Sequence, residues 1–444
     1  MNSIPIIPIC TAYNYENSMV NIRGHISKIQ TFPKHMFIEV RDGSGDYNKI
    51  QVVSRVISAV HEQYVEIQGI VKALPLGKRS YQTVEIQLEN FKLLGDSNSD
   101  FTTKCPSNAS SETKLEERHL HLRSREFGLV TVLRAKFLSA LRVTFEKMQS
   151  TEIIPPCFVG NQCEGGATLF ELKYPPNHGD EMMNAYLTQS SQFYLEMAVP
   201  AIGNCHCIYP SFRAERSHTR RHLTEFLHAE CEWKDILNFN QHLDKLRTLL
   251  TETITNFSVI AHRELKQLGL LDRVIDLSKM EIIEMTHAQA IKECCDRNIY
   301  KDDATKEHFG PRDDIPEMQE RQLIDQIGKI VFLTKFPAEF KSFYMARDPE
   351  DPSLVLGCDV EVPGVGEVIG SGVRVYEENE LRKYLIENNL KEEEYREYID
   401  LRKYGNARTS GMGLGVDRFL TWLLGKDSIR DIVTFPRYPG RLTP

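Results

Sequence analysis

No stretch of this 444-residue chain approaches the roughly 20 consecutive apolar residues that cross a bilayer, which excludes a membrane-spanning helix. The opening residues, Met1 to Cys10, have neither the basic start and long apolar core of a secretory signal nor the Arg- and Ser-rich pattern of a transit peptide; the expected location is the cytosol. The 10 cysteines are scattered and form no pair of C-x-x-C knuckles, which argues against a disulfide framework or a zinc knuckle. Cys205-His206-Cys207 alternates across a strand-like segment, and no second ligand pair follows it. A basic excess is also missing, with 54 Lys+Arg against 62 Asp+Glu and a net charge of -8. Any nucleic-acid contact must therefore come from local basic clusters. Neither the G-x-x-x-x-G-K-[ST] phosphate loop nor a G-x-G-x-x-G after a parallel strand is present, so a nucleotide is held by another device.

What is there is an ordinary globular composition, 41% hydrophobic and 26% charged, enough for two or three domains. Between Asn17 and Leu94, β-like runs alternate apolar and polar residues over Met19 to Ile29, Met36 to Val40, Ile50 to Val53, Tyr64 to Val71 and Thr83 to Leu94. Five short strands predict a small closed barrel of the oligonucleotide-binding kind over residues 1–95. Residues 96–117, rich in Ser, Asn, Asp and Thr, read as a linker. Residues 118–444 mix an apolar-periodic helix around Val130 to Met148 and helical patterns from 237 to 295 and 377 to 402 with grouped strand-like stretches. Grouped strands predict an α+β domain on a largely antiparallel sheet flanked by helices.

Three polar clusters carry candidate chemistry. In Ser211 to Glu232, Arg213, Arg216, Arg220, Arg221 and His222 fall between strand-like flanks, where guanidinium groups match phosphate oxygens. Gly411-Met-Gly-Leu-Gly-Val-Asp-Arg418 sets alternate glycines, which let a backbone approach a flat ligand, before an arginine that opens an apolar helix. Gly357 to Arg374 sets Asp359 and Glu367 among glycines, a carboxylate pair of the kind that holds Mg²⁺ against phosphate oxygens.

Together these clusters resemble the signature regions of class II aminoacyl-tRNA synthetases of the aspartyl/asparaginyl subclass. Phe212-Arg213-Ala214-Glu215 with Arg221-His222 and Phe226 resembles motif 2, Gly411 to Arg418 resembles motif 3, and Ile153-Ile-Pro-Pro156 resembles the dimer-forming motif 1. Phe37-Ile-Glu-Val-Arg-Asp42, Gln51-Val-Val53 and Arg118 to Ser124 are similar to the anticodon-binding barrel and the entry to the catalytic domain, and Thr334 to Met345 resembles the active-site segment before the metal-binding strand. In Leu187-Thr-Gln-Ser-Ser-Gln-Phe-Tyr-Leu-Glu196, aspartyl enzymes resemble Q-S-P-Q-x-x-K; here Ser191 and Leu195 stand for the Pro and the Lys, and Glu196 follows. A buried β-carboxylate then lacks its counter-charge, whereas an amide can donate to Glu196, which points to asparagine.

The resemblance implies ATP and Mg²⁺, with L-asparagine and tRNA(Asn) as partners and a homodimer through motif 1 around Pro156. Glu164, Ser190 and Gln192 would receive the amino acid, Glu164 and Gln192 at its ammonium group, with Arg374 at the side-chain carbonyl and Glu196 at the amide NH₂. Arg213 would bind the α-phosphate, Phe226 would stack on adenine, Glu215 and Arg221 would complete the ATP site, His222 and Arg418 would meet the γ-phosphate, and Asp359 and Glu367 would hold Mg²⁺. Phe37, Gln51 and Gln87 would read the anticodon. Three places depart from the family pattern: the pair Arg408-Thr409 replaces a frequent Pro-His, Asp417 a frequent Glu, and Gln87 a carboxylate of bacterial aspartyl enzymes. The rival readings are an aspartyl enzyme, possibly non-discriminating, a synthetase-like asparagine synthetase that transfers ammonia, and a catalytically dead paralogue.

Overall fold

The computed structural model describes residues 4–44, 49–74, 82–106, 108–160, 169–176, 181–216, 219–405 and 407–443. The chain divides into two compact units, one ending at Arg125 and one beginning at Glu126.

The first unit is a closed barrel of β1 (Met19–Thr31), β2 (Met36–Arg41), β3 (Lys49–Ser54), β4 (Tyr64–Ala73) and β5 (Val84–Gly95), in the order β1-β2-β3-β5-β4. Strict alternation of buried and accessible residues in β2 and β3 sends Ile38, Val40, Ile50 and Val52 inward, and Ile22, Ile67 and Ile86 join them in the core. The same alternation turns Phe37, Gln51 and Gln87 outward. The segment read as a linker contains two short helices, Phe101–Lys104 and Ser111–Glu116, the second capped by the Ser110 hydroxyl.

The second unit is built on an eight-stranded sheet. Its strands are β6 (Thr151–Glu152), β10 (Cys205–Phe212), β11 (Glu225–Lys234), β12 (Ile282–Thr286), β13 (Ile330–Thr334), β14 (Gly357–Val362), β15 (Gly366–Val373) and β16 (Thr409–Gly415), ordered β12-β13-β14-β15-β16-β11-β10-β6. A small separate sheet holds β7 (Phe158–Val159), β8 (Glu171–Tyr174) and β9 (Met183–Leu187). The central pairings are antiparallel, as the grouped strands predict, but both edges are parallel: β12 with β13 and β6 with β10. Parallel neighbours need a long crossover, and helices His287–Asp296 and Glu317–Ile327 lie between β12 and β13. Strand β12 falls inside the span read as helical; its Ile-Ile-Glu-Met-Thr run is too short to separate from helical periodicity, and Thr286 then caps the next helix. Beyond the two-residue β6 the chain forms only the two-residue β7 up to Gly160, since the intervening Pro155 and Pro156 donate nothing to a ladder.

The sheet separates core from chemistry. Ala229, Cys231 and Trp233 of β11, Cys358 and Val360 of β14, and Met412 and Leu414 of β16 pack against helices Arg125–Lys147, Phe239–Ile260 and Val416–Leu424. The intervening residues, Glu230, Glu232, Asp359, Gly411 and Gly413, face the other way. A register shift opposite Val360/Glu361 makes Val368 an extra residue in β15, so Glu367 and Gly370 both fall on this second face.

Candidate active site

Two adjoining cavities on the polar face share Arg213, His228, Glu367, Gly370 and Gly413. The larger, about 240 Å³, is lined at its deep end by Gln192, Glu232 and Arg374. The smaller, about 90 Å³, is bounded by Glu215, Arg221, His222, Phe226 and Arg418. Residues distant in sequence are thus gathered into one cleft: Ser190, Gln192, Arg374 and Asp359 line the larger cavity, Glu215, Arg221, His222, Phe226 and Arg418 the smaller, Arg213 and Glu367 both, and Glu196 lines neither.

The deep end is a buried set of ions. Arg374 donates through Nε to Glu232 Oε1 at 3.0 Å and through Nη2 to the same oxygen, and its Nε lies 3.7 Å from Glu196 Oε1. Glu232 Oε2 is buried without a hydrogen-bond partner among the described residues. Burial pushes the Glu232 carboxyl up to about 8, against the pull of Arg374. Glu196 is fully engaged: Gln192 Nε2 donates to it at 2.9 Å, Tyr398 Oη at 2.7 and 2.9 Å, and Arg402 Nη2 at 3.0 Å. The acceptor expected for an amide NH₂ at Glu196 is therefore occupied, and the accessible one is Glu232. Ser190 does not stand free either; its hydroxyl donates to Glu230 Oε1 at 2.5 Å, and Glu230 Oε2 accepts from the Ser191 N–H at 2.8 Å.

Strand register explains the alternating glycines. Glu230 and Glu232 of β11 lie opposite Gly413 and Gly411 of β16. A Cβ at 411 would collide with Glu232 Oε1 and Arg374 Nη2, and one at 413 with His228 Nε2. Only glycine leaves room for the ion pair and the imidazole.

In the phosphate half, Arg213 lies 5.5 Å from the Phe226 ring centroid. Arg221 donates to the Val365 carbonyl and pairs with Glu317 at 3.2 Å. Burial and the neighbouring Arg418 lower the His222 imidazole. Arg418, in the first turn of helix Val416–Leu424, donates through Nη1 to the Glu367 carbonyl at 2.8 Å. The Asp417 carboxylate, at the edge of the smaller cavity, makes a bidentate pair with Arg134 at 2.6 and 3.1 Å and so ties the motif 3 helix to helix Arg125–Lys147. Arg408 stacks over the Tyr376 ring at 5.1 Å.

Asp359 and Glu367 converge over Gly370, whose absent Cβ would sit 2.9 Å from Glu367 Oε1 and 3.9 Å from Asp359 Oδ1. Burial, with Glu367 beside it, pushes the Asp359 carboxyl up to about 6 against the pull of Lys341, which pairs with Asp359 Oδ2. This crowding of hard, partly desolvated oxygen donors fits Mg²⁺. Sequence reading missed Lys341 in the recognised segment, as well as Glu230, Glu232, Tyr398 and Arg402. For the two glutamates the sequence offers half of a signal, carboxylates alternating at 230 and 232 and glycines alternating at 411 and 413; the pairing of the two strands comes from the structure.

Glu164 lies outside the described residues. In the barrel, Phe37 pairs across the sheet with Val53, and Val53 with Gln87. The Phe37 ring meets Phe32 and His35 edge-on at 5.7 and 5.1 Å, and Gln51 donates to Glu85 at 2.7 Å. The three predicted anticodon contacts thus share one outer face.

The family model for class II tRNA synthetases (D, K and N) matches residues 110–439. A probable cytoplasmic asparagine–tRNA ligase of Schizosaccharomyces pombe is 36% identical, with 99% of this chain and 77% of that protein covered. The asparaginyl-tRNA synthetase of Entamoeba histolytica, solved with asparaginyl-adenylate, superposes with a TM-score of 0.87 at 31% identity, with 100% of both chains covered. The asparaginyl-tRNA synthetase of Pyrococcus horikoshii, also solved with asparaginyl-adenylate, gives 0.84 at 30% identity, with 97% of both chains covered.

Proposed function

This chain belongs to the class II tRNA synthetases of the aspartate, lysine and asparagine group, and we propose how its residues divide the work of an asparagine–tRNA ligase. The reaction has two steps. Asparagine and ATP give asparaginyl-adenylate and pyrophosphate; the 3′ end of tRNA(Asn) then takes the asparaginyl group and AMP leaves.

The observation that carries the amino-acid assignment is the Glu232–Arg374 pair with its one unclaimed oxygen. A neutral amide is complementary to it: the carbonyl accepts from Arg374 and the NH₂ donates to Glu232 Oε2. With Glu232 ionised, above about pH 8, an aspartate carboxylate there would meet a second carboxylate at close range, with no lysine to offset it. Gln192, anchored by Glu196, takes the α-ammonium, and Glu164 joins it there. Ser190 shapes the turn through Glu230.

In activation the substrate carboxylate is already the nucleophile, so no general base is required. Its oxygen forms a bond to the α-phosphorus as the bond to the pyrophosphate oxygen breaks in line. Arg213 balances charge at the attacked phosphorus, worth on the order of 10²- to 10³-fold in rate. Phe226 stacks on adenine, Glu215 and Arg221 hold the nucleotide, and His222 and Arg418 meet the terminal phosphate. Asp359 and Glu367 would hold Mg²⁺, which when bound neutralises phosphate charge. Outer-face residues Phe37, Gln51 and Gln87 read the anticodon by stacking and edge contacts. A homodimer through the segment around Pro156 is supported by Ile154, 81% exposed beside a half-exposed Phe158, and a cytosolic location by the cytoplasmic relatives.

The deciding experiment is ATP–pyrophosphate exchange on the purified chain with asparagine or aspartate. Exchange with asparagine alone is expected; exchange with aspartate instead would transfer the assignment to an aspartyl or amidating enzyme.

A further inference from the structure

One helix outside the cleft contacts the residues that stand behind the amino-acid pocket. In helix Arg396–Lys403, the Arg402 side chain is fully buried and spends its donors on four acceptors. Nη2 reaches Glu196 Oε2 at 3.0 Å, Nε and Nη2 reach the Val375 carbonyl at 3.1 and 2.9 Å, and Nη1 reaches the Tyr398 carbonyl at 3.2 Å. Its guanidinium lies 4.0 Å from the Tyr398 ring centroid, and Nη2 donates to the Tyr398 hydroxyl at 3.0 Å. That hydroxyl in turn donates to both oxygens of Glu196. The Tyr398 ring stands 4.5 Å from Phe193.

Each of these contacts touches a neighbour of a substrate-facing group. Phe193 follows Gln192, Val375 follows Arg374, and Glu196 holds Gln192 directly and lies near Arg374. Glu196 and Glu232 also have to share two guanidinium groups, those of Arg374 and Arg402. While Arg402 holds Glu196, Arg374 is left to pair with Glu232; without Arg402, both carboxylates compete for Arg374. Buried ion pairs contribute little net stability compared with apolar packing, so stability alone is a weak reason for this arrangement.

We propose that Arg402, acting with Tyr398 through Glu196, is a positioning residue that fixes Arg374 and Gln192 for asparagine and so sets the enzyme's affinity for the amino acid. This rests on the asparagine reading above.

The test uses full-length Tyr398→Phe, Arg402→Lys and Arg402→Met in pyrophosphate exchange, varying asparagine and ATP separately. Tyr398→Phe removes a hydroxyl that donates to a carboxylate and should raise the asparagine KM about tenfold. Arg402→Met should raise it further, and Arg402→Lys should recover part of the loss by restoring the charge. The KM for ATP should stay within about twofold in all three. Equal changes in both KM values, or no change in the asparagine KM of a folded Tyr398→Phe chain, would overturn the proposal. If Arg402→Met does not fold, Tyr398→Phe decides alone, because it removes a single oxygen. Failure of the unsubstituted chain to use asparagine would instead sink the asparagine reading, which separates the two.

Discussion

Replacing Glu232 with Gln removes one charge from a buried set in which two carboxylates, Glu196 and Glu232, face two guanidinium groups, Arg374 and Arg402. Arg374 is 5% exposed and would lose its hydrogen-bonded carboxylate in a place water scarcely reaches, keeping only Glu196 at 3.7 Å. Truncating one member of such a pair costs about 3 kcal/mol, or about 150-fold in kcat/KM. The substituted amide also turns a hydrogen-bond donor toward either Arg374 or the asparagine NH₂. The set then carries a net positive charge, which favours a carboxylate substrate. At about pH 8.5, kcat/KM for asparagine should fall roughly 100-fold while that for aspartate falls less or rises. Because burial pushes Glu232 up to about 8, the unsubstituted enzyme takes up a proton there as pH falls toward 7. Its asparagine KM should therefore rise as pH falls through 8, and the Gln variant should show no such rise. An asparagine kcat/KM within threefold of the parent, or equal losses for both amino acids, would refute the reasoning.

Gly411→Ala should abolish asparagine-dependent exchange while leaving the melting temperature within a few degrees, because its methyl group meets Glu232 and Arg374 rather than the apolar core; normal exchange would exclude the clash. Phe37→Ala should leave pyrophosphate exchange untouched and weaken tRNA(Asn) charging by about tenfold or more, the loss of one stacked base, read as the KM for tRNA. Burial pushes the His242 imidazole, between Ser410 and Ser371, down to about 3. The unfolded chain takes up that proton below 6.5 and the folded one does not, so stability should be lost as pH falls from 6.5 toward 3. The slope is at most about 1.4 kcal/mol per pH unit, and urea midpoints of His242→Gln should be flatter over this window.

Much of the site is legible in the sequence because its ends are local. Arg213 to Phe226 and Gly411 to Arg418 are continuous segments whose residue types state their purpose, and the barrel follows from alternation alone. What could not be read depends on which distant strands become neighbours. Glu196 is the acidic residue nearest in sequence to Gln192, so local spacing points to it as the amide acceptor; its oxygens are claimed by Tyr398 and Arg402, some two hundred residues on. Glu232 acquires its meaning from Gly411 across one ladder and from Arg374, which the β15–β16 pairing brings alongside. The extra residue at Val368, which turns Glu367 toward Asp359, leaves no mark in composition or periodicity.

The ladder between β11 and β16 also says which kinds of change this enzyme can survive. A substitution at Glu230 or Glu232 alters one rung and leaves the others in place, so amino-acid preference can drift by single replacements there, whereas Gly411 and Gly413 admit no side chain. A one-residue insertion or deletion within either strand would turn its glutamates or glycines to the apolar side and bring Cys231 or Met412 to the substrate. Length changes between natural relatives should therefore collect in the connections, and these two strands should keep a constant span even where their residues differ.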